Sequence, residues 1–160
     1  MVKNAVLIDI CGTLFYSNTT FDFLDFYITE KSYKRFRKLM KTPIWRYTNS
    51  LIYRLFHIDL SRKIALSYLK GIPHAELLNM ADAFYDNYLS PRRIHETWNL
   101  IEAKRPTNEL ILVSGTIDPI AETVAIKMGI QRYISSSLKY HNNICEGKLE
   151  YDALRKNRNT

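Results

Sequence analysis

Cysteine is scarce in this chain. Cys11 and Cys145 are its two cysteines among 160 residues, and neither belongs to a CxxC pair. That count excludes a disulfide scaffold and points to a reduced, cytoplasmic setting. Long apolar runs are lacking too. None approaches the roughly 20 residues of a membrane-spanning helix. The N-terminal apolar run stops at Asp9, too soon for a signal peptide. His57, His74, His95 and His141 show no paired spacing for a metal, so packing or surface roles are the expectation for them. No internal repeat and no low-complexity stretch interrupts the chain. The reading is a soluble protein.

What is present is enough for a core. Hydrophobic residues make up 46% and aromatics 12%, which argues against disorder. The length suits one domain, or a small core that carries an insert.

Charge is unevenly spread. Eleven Lys or Arg lie between Lys31 and Lys70 against a single acid, Asp59, so this segment carries +10 and the rest −3 of a net +7. Such a segment can be a solvated helix face, or it can attract an anionic partner. No nucleic-acid-binding motif is present, and no nucleic acid is expected. Aromatic residues Tyr33, Phe36, Trp45, Tyr53 and Phe56 interleave with the cations, which makes contact with a membrane surface the better-supported of the special readings.

The most informative stretch is Ala5-Val6-Leu7-Ile8-Asp9-Ile10-Cys11-Gly12-Thr13-Leu14-Phe15. An apolar run bounded by turn residues predicts a strand buried on both faces, as in parallel α/β sheets. Asp9 sits at the carboxyl end of that strand, where open α/β sheets place ligands. Two readings of it stand: a turn-capping Asp, or a carboxylate with a chemical task. Cys11 is read as a small, inert thiol.

Residues 17 to about 105 are read as amphipathic helices. Ser17-Asn18-Thr19-Thr20 opens a first, through Phe21, Leu24, Phe26 and Ile28. A second runs through Tyr33, Phe36, Leu39 and Met40. Pro43 opens a third with Trp45, Leu51, Ile52, Leu55 and Phe56. Asp59-Leu60-Ser61 starts a fourth, stopped by Gly71, and Pro73 a fifth, closed before Ser90-Pro91. Ile94, Trp98 and Ile101 mark a last helix ending around Arg105-Pro106. The pattern then changes. Leu110-Ile111-Leu112-Val113 is a strand, Ser114-Gly115-Thr116 its turn, and Asp118-Pro119 leads into a helix closed by Gly129. A small-residue turn before a helix N-terminus is suited to an anion. Tyr133 to Ser135 predicts a third strand, and residues 138–141 and 144–149 a hairpin about Asn142-Asn143. The fold class is therefore α/β: a Rossmann-like parallel sheet core from residues 1–16 and 106–160, and an all-helical insert at 17–105.

That organisation, with Asp9-x-Cys11-Gly12-Thr13-Leu14 and Val113-Ser114-Gly115-Thr116, resembles the haloacid dehalogenase superfamily of hydrolases. Within it the likeness is to the phosphoserine-phosphatase-like branch, whose helical cap follows the first motif. Glu146-Gly147-Lys148-Leu149 adds to the resemblance.

The resemblance implies a Mg²⁺-dependent phosphomonoester hydrolase in which Asp9 attacks phosphorus to give an aspartyl-phosphate. Asp9 and the backbone carbonyl of Cys11 would hold Mg²⁺. Gly12, Thr13, Ser114 and Gly115 would bind the phosphoryl group of a small phosphorylated substrate. Lys156, or Arg158, would supply the expected cation. The cap would close over the site and select the leaving group.

Two departures are visible. The family's phosphatases carry a second Asp where this chain has Cys11, and that acid–base assistance is worth about 10²–10⁴-fold. The last acidic motif, expected after a fourth strand, has no counterpart after Leu149, so the chain reads as C-terminally truncated relative to the family. Loss of outer strands would leave a sheet edge open to self-association. The alternative function is a catalytically inactive relative that binds a phosphate ligand or a partner on the same scaffold.

Overall fold

The computed structural model describes residues 4–154. Strand β1 (Asn4–Ile8) is followed by helices α1 (Thr19–Tyr27), α2 (Lys31–Met40), α3 (Pro43–Phe56), α4 (Leu60–Ser67), α5 (His74–Phe84) and α6 (His95–Lys104). A π-helical turn over Tyr85–Leu89 and a 3₁₀ turn over Ser90–Arg92 continue α5. Then come β2 (Asn108–Ile117), α7 (Asp118–Met128), β3 (Arg132–His141) and β4 (Ile144–Tyr151). The four strands lie in the order β1-β2-β3-β4. β1, β2 and β3 are parallel, and β4 returns antiparallel to β3.

Local chemistry accounts for several element ends. Thr42 caps α3 by accepting the Trp45 N–H, and Pro43 fills the first helical position, where no N–H is needed. Asp59 caps α4 by accepting the Arg62 N–H at 3.1 Å. Gly129 ends α7 at φ 63°, the left-handed conformation a side chain resists. Asn142 and Asn143 both take positive φ between β3 and β4, the backbone of a tight hairpin.

One continuous hydrophobic cluster joins sheet and helices. Ile8, Ile10, Leu112 and Ile117 from the strand side meet Phe23, Leu66, Leu77 and Phe84 from the helices, and Ile120 and Val124 from α7. Full burial of each such side chain contributes about 1.5–3 kcal/mol.

Three sequence expectations need correction. β1 is not buried on both faces: Leu7 is 66% exposed, and Ile8 is the strand's one buried residue. The reason is position, because β1 ends the strand order among the described residues. Ser114-Gly115-Thr116 is not a turn after β2. The strand runs on to Ile117, with a register irregularity against β3 between Val113 and Ile117 that absorbs the small residues. The third strand and first hairpin arm are likewise one continuous strand, β3.

Candidate active site

The turn after β1 is shaped by backbone bonds. Gly12 takes φ 68° and donates its N–H to Phe15 O at 3.0 Å, while Leu14 N–H reaches Ile10 O at 3.1 Å. Leu14 and Phe15 are fully buried, so the turn is anchored from below. Its far side is pinned to the start of α6: Ile94 N–H and the Trp98 indole N–H both donate to Leu14 O. Above this anchor Asp9 is exposed. Its Oδ1 accepts the Ile10 N–H at 2.8 Å, and it makes no ion pair among the described residues.

Cys11 is tied into a hydroxyl chain. Its Sγ lies 2.9 Å from Thr19 Oγ1, and Thr19 Oγ1 donates to Thr116 Oγ1 at 2.8 Å. Thr19 has one proton and spends it on Thr116, so the thiol is the donor in the first bond. The chain thereby fastens the β1 turn and the start of α1 to the end of β2.

The β2 end is more tightly held. Ser114 and Thr116 are buried, and Ser114 Oγ accepts the Thr116 N–H at 3.4 Å. The Gly115 carbonyl accepts from the Arg62 guanidinium and from Ser136 Oγ, the latter at 3.1 Å. Arg62 Nη1 also donates to Asp152 Oδ1 at 2.8 Å, and Asp152 receives the Leu154 N–H at 3.1 Å. Gly115 has no room for more: a Cβ there would meet the Leu154 side chain at 2.6 Å.

These two strand ends face one cavity of about 420 Å³. Asp9, Cys11, Gly12, Ser114 and Gly115 line it together, as the sequence predicts, with Arg62 and Asp59 on the α4 side. Thr13 is half-buried in the same turn and is not among the lining residues. Lys156 and Arg158 lie outside the described residues. Three participants escape a reading of the sequence. Arg62 is one of the eleven cations between Lys31 and Lys70, yet it is 5% exposed. Asp152 has no apolar strand signal before it but sits against the β2 end. Thr116 looks like ordinary turn filler and is the hub of the hydroxyl chain. The one available signal was the Asp59–Arg62 capping spacing, which places Arg62 in the first turn of α4.

A second cavity, of about 480 Å³, shares Phe21 and Asp59 with the first. Met40, Trp45 and Tyr53 give it an apolar wall, and Arg46 and Asn49 its polar groups. The two shared residues make this mixed aromatic and polar chamber a neighbour of the cavity that Asp9 lines.

The carboxylate of Asp9, open to the cavity and unpaired among the described residues, is a hard oxygen donor of the kind Mg²⁺ takes. No group of three or more His, Cys, Asp or Glu that could hold a metal occurs among the described residues. A single such carboxylate could hold only a cation that takes most of its ligands from water and substrate oxygens.

The family model of haloacid dehalogenase-like hydrolases matches residues 6–157, and the chain belongs to that family. A protein of unknown function from Bordetella pertussis Tohama I has a similar fold, with TM-score 0.65 and 17% identity over 93% of this chain and 67% of its own. A haloacid dehalogenase family hydrolase from Salmonella enterica serovar Typhi gives TM-score 0.56 and 12% identity, over 91% of this chain and 44% of its own. Phosphoserine phosphatase from T. onnurineus gives TM-score 0.53 and 16% identity, over 93% and 64%. The chain thus spans between under half and about two thirds of the length of these structures. Among curated protein sequences no match is found. The shared feature is the fold: a Rossmann-like α/β sheet with a helical segment between its first two strands.

Proposed function

We propose that this chain acts on a phosphomonoester through Asp9. The observation that carries the reading is the meeting of an exposed carboxylate and the Ser114–Gly115 strand end in one cavity, although about a hundred residues separate them. The Asp9 carboxylate attacks phosphorus, the P–O bond to the leaving group breaks, and an aspartyl-phosphate forms. Attack of water on phosphorus then returns Asp9 and releases phosphate. Ser114 Oγ and the Gly115 N–H are the donors for the phosphoryl oxygens. The Asp9 carboxylate and the Cys11 carbonyl would hold Mg²⁺, which would supply neutralisation of phosphoryl charge. The chamber walled by Phe21, Trp45 and Tyr53 receives the leaving group, which makes residues 17–105 a cap in function; two free cysteines favour a reduced, cytoplasmic setting.

Cys11 favours a second reading. Its thiol is engaged with Thr19 Oγ1 at 2.9 Å, and it offers no carboxyl group to serve the leaving oxygen and then the attacking water. On that ground the scaffold would bind a phosphorylated ligand without turning it over.

Hydrolysis of para-nitrophenyl phosphate, with and without Mg²⁺, decides between them. Turnover that vanishes in Asp9→Asn supports the enzyme, and turnover unchanged by Asp9→Asn removes the nucleophile. Cys11→Asp is expected to raise the rate by about 10²-fold or more if acid–base help is the missing part. Phosphate binding without turnover in both wild type and Cys11→Asp would establish the second reading.

A further inference from the structure

Helix α3 is unusual in burying none of its residues. Its apolar side chains still form a pattern. Ile44, Tyr47, Leu51 and Leu55 follow the spacing i, i+3, i+7, i+11 and so share one face. They are 80%, 74%, 44% and 61% exposed. The ridge spans the helix, whose 14 residues extend about 21 Å. The opposite side of α3 is what holds it to the protein: Trp45 packs edge-on against Phe36 of α2 at 5.6 Å between centroids, and its indole N–H donates to Ser61 Oγ at 2.8 Å. The ridge is therefore not a misdirected core face. It stands outside a helix that is already docked.

The neighbouring helix carries exposed cations. Lys31, Lys34, Arg35 and Lys38 of α2 are all exposed, as is Arg54 beside the ridge on α3. Apart from Asp59, which caps α4, no acid lies between Lys31 and Lys70. An apolar ridge on one helix, with exposed cations on it and on its neighbour, complements hydrocarbon under an anionic surface. A second copy of the chain would bring the same +10 segment against itself, and a nucleic acid would leave the aliphatic crest without a partner.

We propose that α2 and α3 form a peripheral docking surface for an anionic lipid bilayer, with Ile44, Tyr47, Leu51 and Leu55 entering the headgroup–acyl boundary and the α2 cations lying on the lipid phosphates. α3 lies in the surface and does not cross it, since no helix among the described residues is long and apolar enough to span a membrane. The surface is independent of the chemistry at Asp9.

Co-sedimentation of the full chain with vesicles tests this. Vesicles of phosphatidylcholine with phosphatidylserine are expected to bind on the order of tenfold more tightly than phosphatidylcholine alone, and added salt to weaken the difference. Ile44→Asp with Leu51→Asp is expected to weaken binding on the order of a hundredfold. Lys34→Glu and Lys38→Glu, on the open face of α2, each weaken it about fivefold or more and keep the test valid if the ridge variant fails to fold. Equal binding to neutral and anionic vesicles, no binding to either, or binding untouched by the ridge and lysine variants overturns the proposal. So does a wild-type dimer, seen by light scattering, that the ridge variant turns into a monomer.

Discussion

Helices α3 and α4 are neighbours in the chain and opposites in use. α3 is the longer and richer in large apolar residues, yet it buries none of them. α4 has eight residues, among them Arg62 and Lys63, and buries Ser61, Arg62, Ala65 and Leu66. The difference lies in what each helix faces. α4 packs on β4 and reaches the end of β2, where Gly115 O and Asp152 await a donor. A guanidinium answers that demand with several N–H groups in a fixed fork, so its burial is matched by bonds. α3 meets α2 and α4 with one side, and its ridge is left largely open.

Four substitutions test this contrast. The largest effect is expected from Leu66→Ala, which opens a cavity in the core and should cost about 2–5 kcal/mol in urea unfolding. A smaller loss, about 1–3 kcal/mol, is expected from Arg62→Met, which takes the guanidinium from Gly115 O and Asp152 and leaves them only the Ser136 hydroxyl and the Leu154 N–H. That variant should also weaken phosphate binding, because the β2 end loses its brace. If Arg62→Met were as stable as wild type, the guanidinium would be a passenger and the contrast would collapse.

Next comes the α1–α2 joint. Burial raises the Asp25 carboxyl, but the hydrogen bonds from Arg37 and Tyr33 outweigh it and hold Asp25 below its ordinary range. A depressed carboxyl stabilises the fold above the unfolded value near pH 4, and this is lost as pH falls through the folded value. Asp25→Asn should therefore lower the melting temperature at pH 7, and the deficit should shrink progressively as pH falls below about 4, which thermal melts across that range will show. The smallest effect belongs to the ridge. Leu51→Ser should change stability by no more than about 0.5 kcal/mol, since little is lost where little was buried. A loss comparable to Leu66→Ala would mean that the ridge is core after all.

Much of this molecule is readable from its residues alone. The helix order, the strands at β1 and β2, and the pairing of Asp9 with Ser114 and Gly115 all follow from local pattern and resemblance. Periodicity fails where the decisive partner is distant. Nothing near Arg62 tells that Asp152 lies beside it, ninety positions on. Exposure of Leu7 is equally invisible, because an edge strand and a central strand have the same apolar run. For α3 the pattern is clear, but it does not say which side faces the protein; Trp45, through Phe36 and Ser61, settles that.

The link between α4 and α5 is threaded onto the β3–β4 hairpin by main-chain bonds. Gly71 N–H donates to Cys145 O at 2.8 Å, Cys145 N–H to Ile72 O at 2.9 Å, and His74 N–H to Asn143 O at 2.8 Å. Gly147 lets the two segments close up, for a Cβ there would meet Ser67 O at 3.0 Å. During synthesis this is a clasp that must wait. Residues 71–74 leave the ribosome some seventy residues ahead of their partners, and the hairpin must form before it can receive them. Until then α4 has no β4 to pack on and Arg62 no Asp152 to meet. The bracing of the Ser114–Gly115 strand end by Arg62 and Asp152 therefore depends on a segment made last among the described residues.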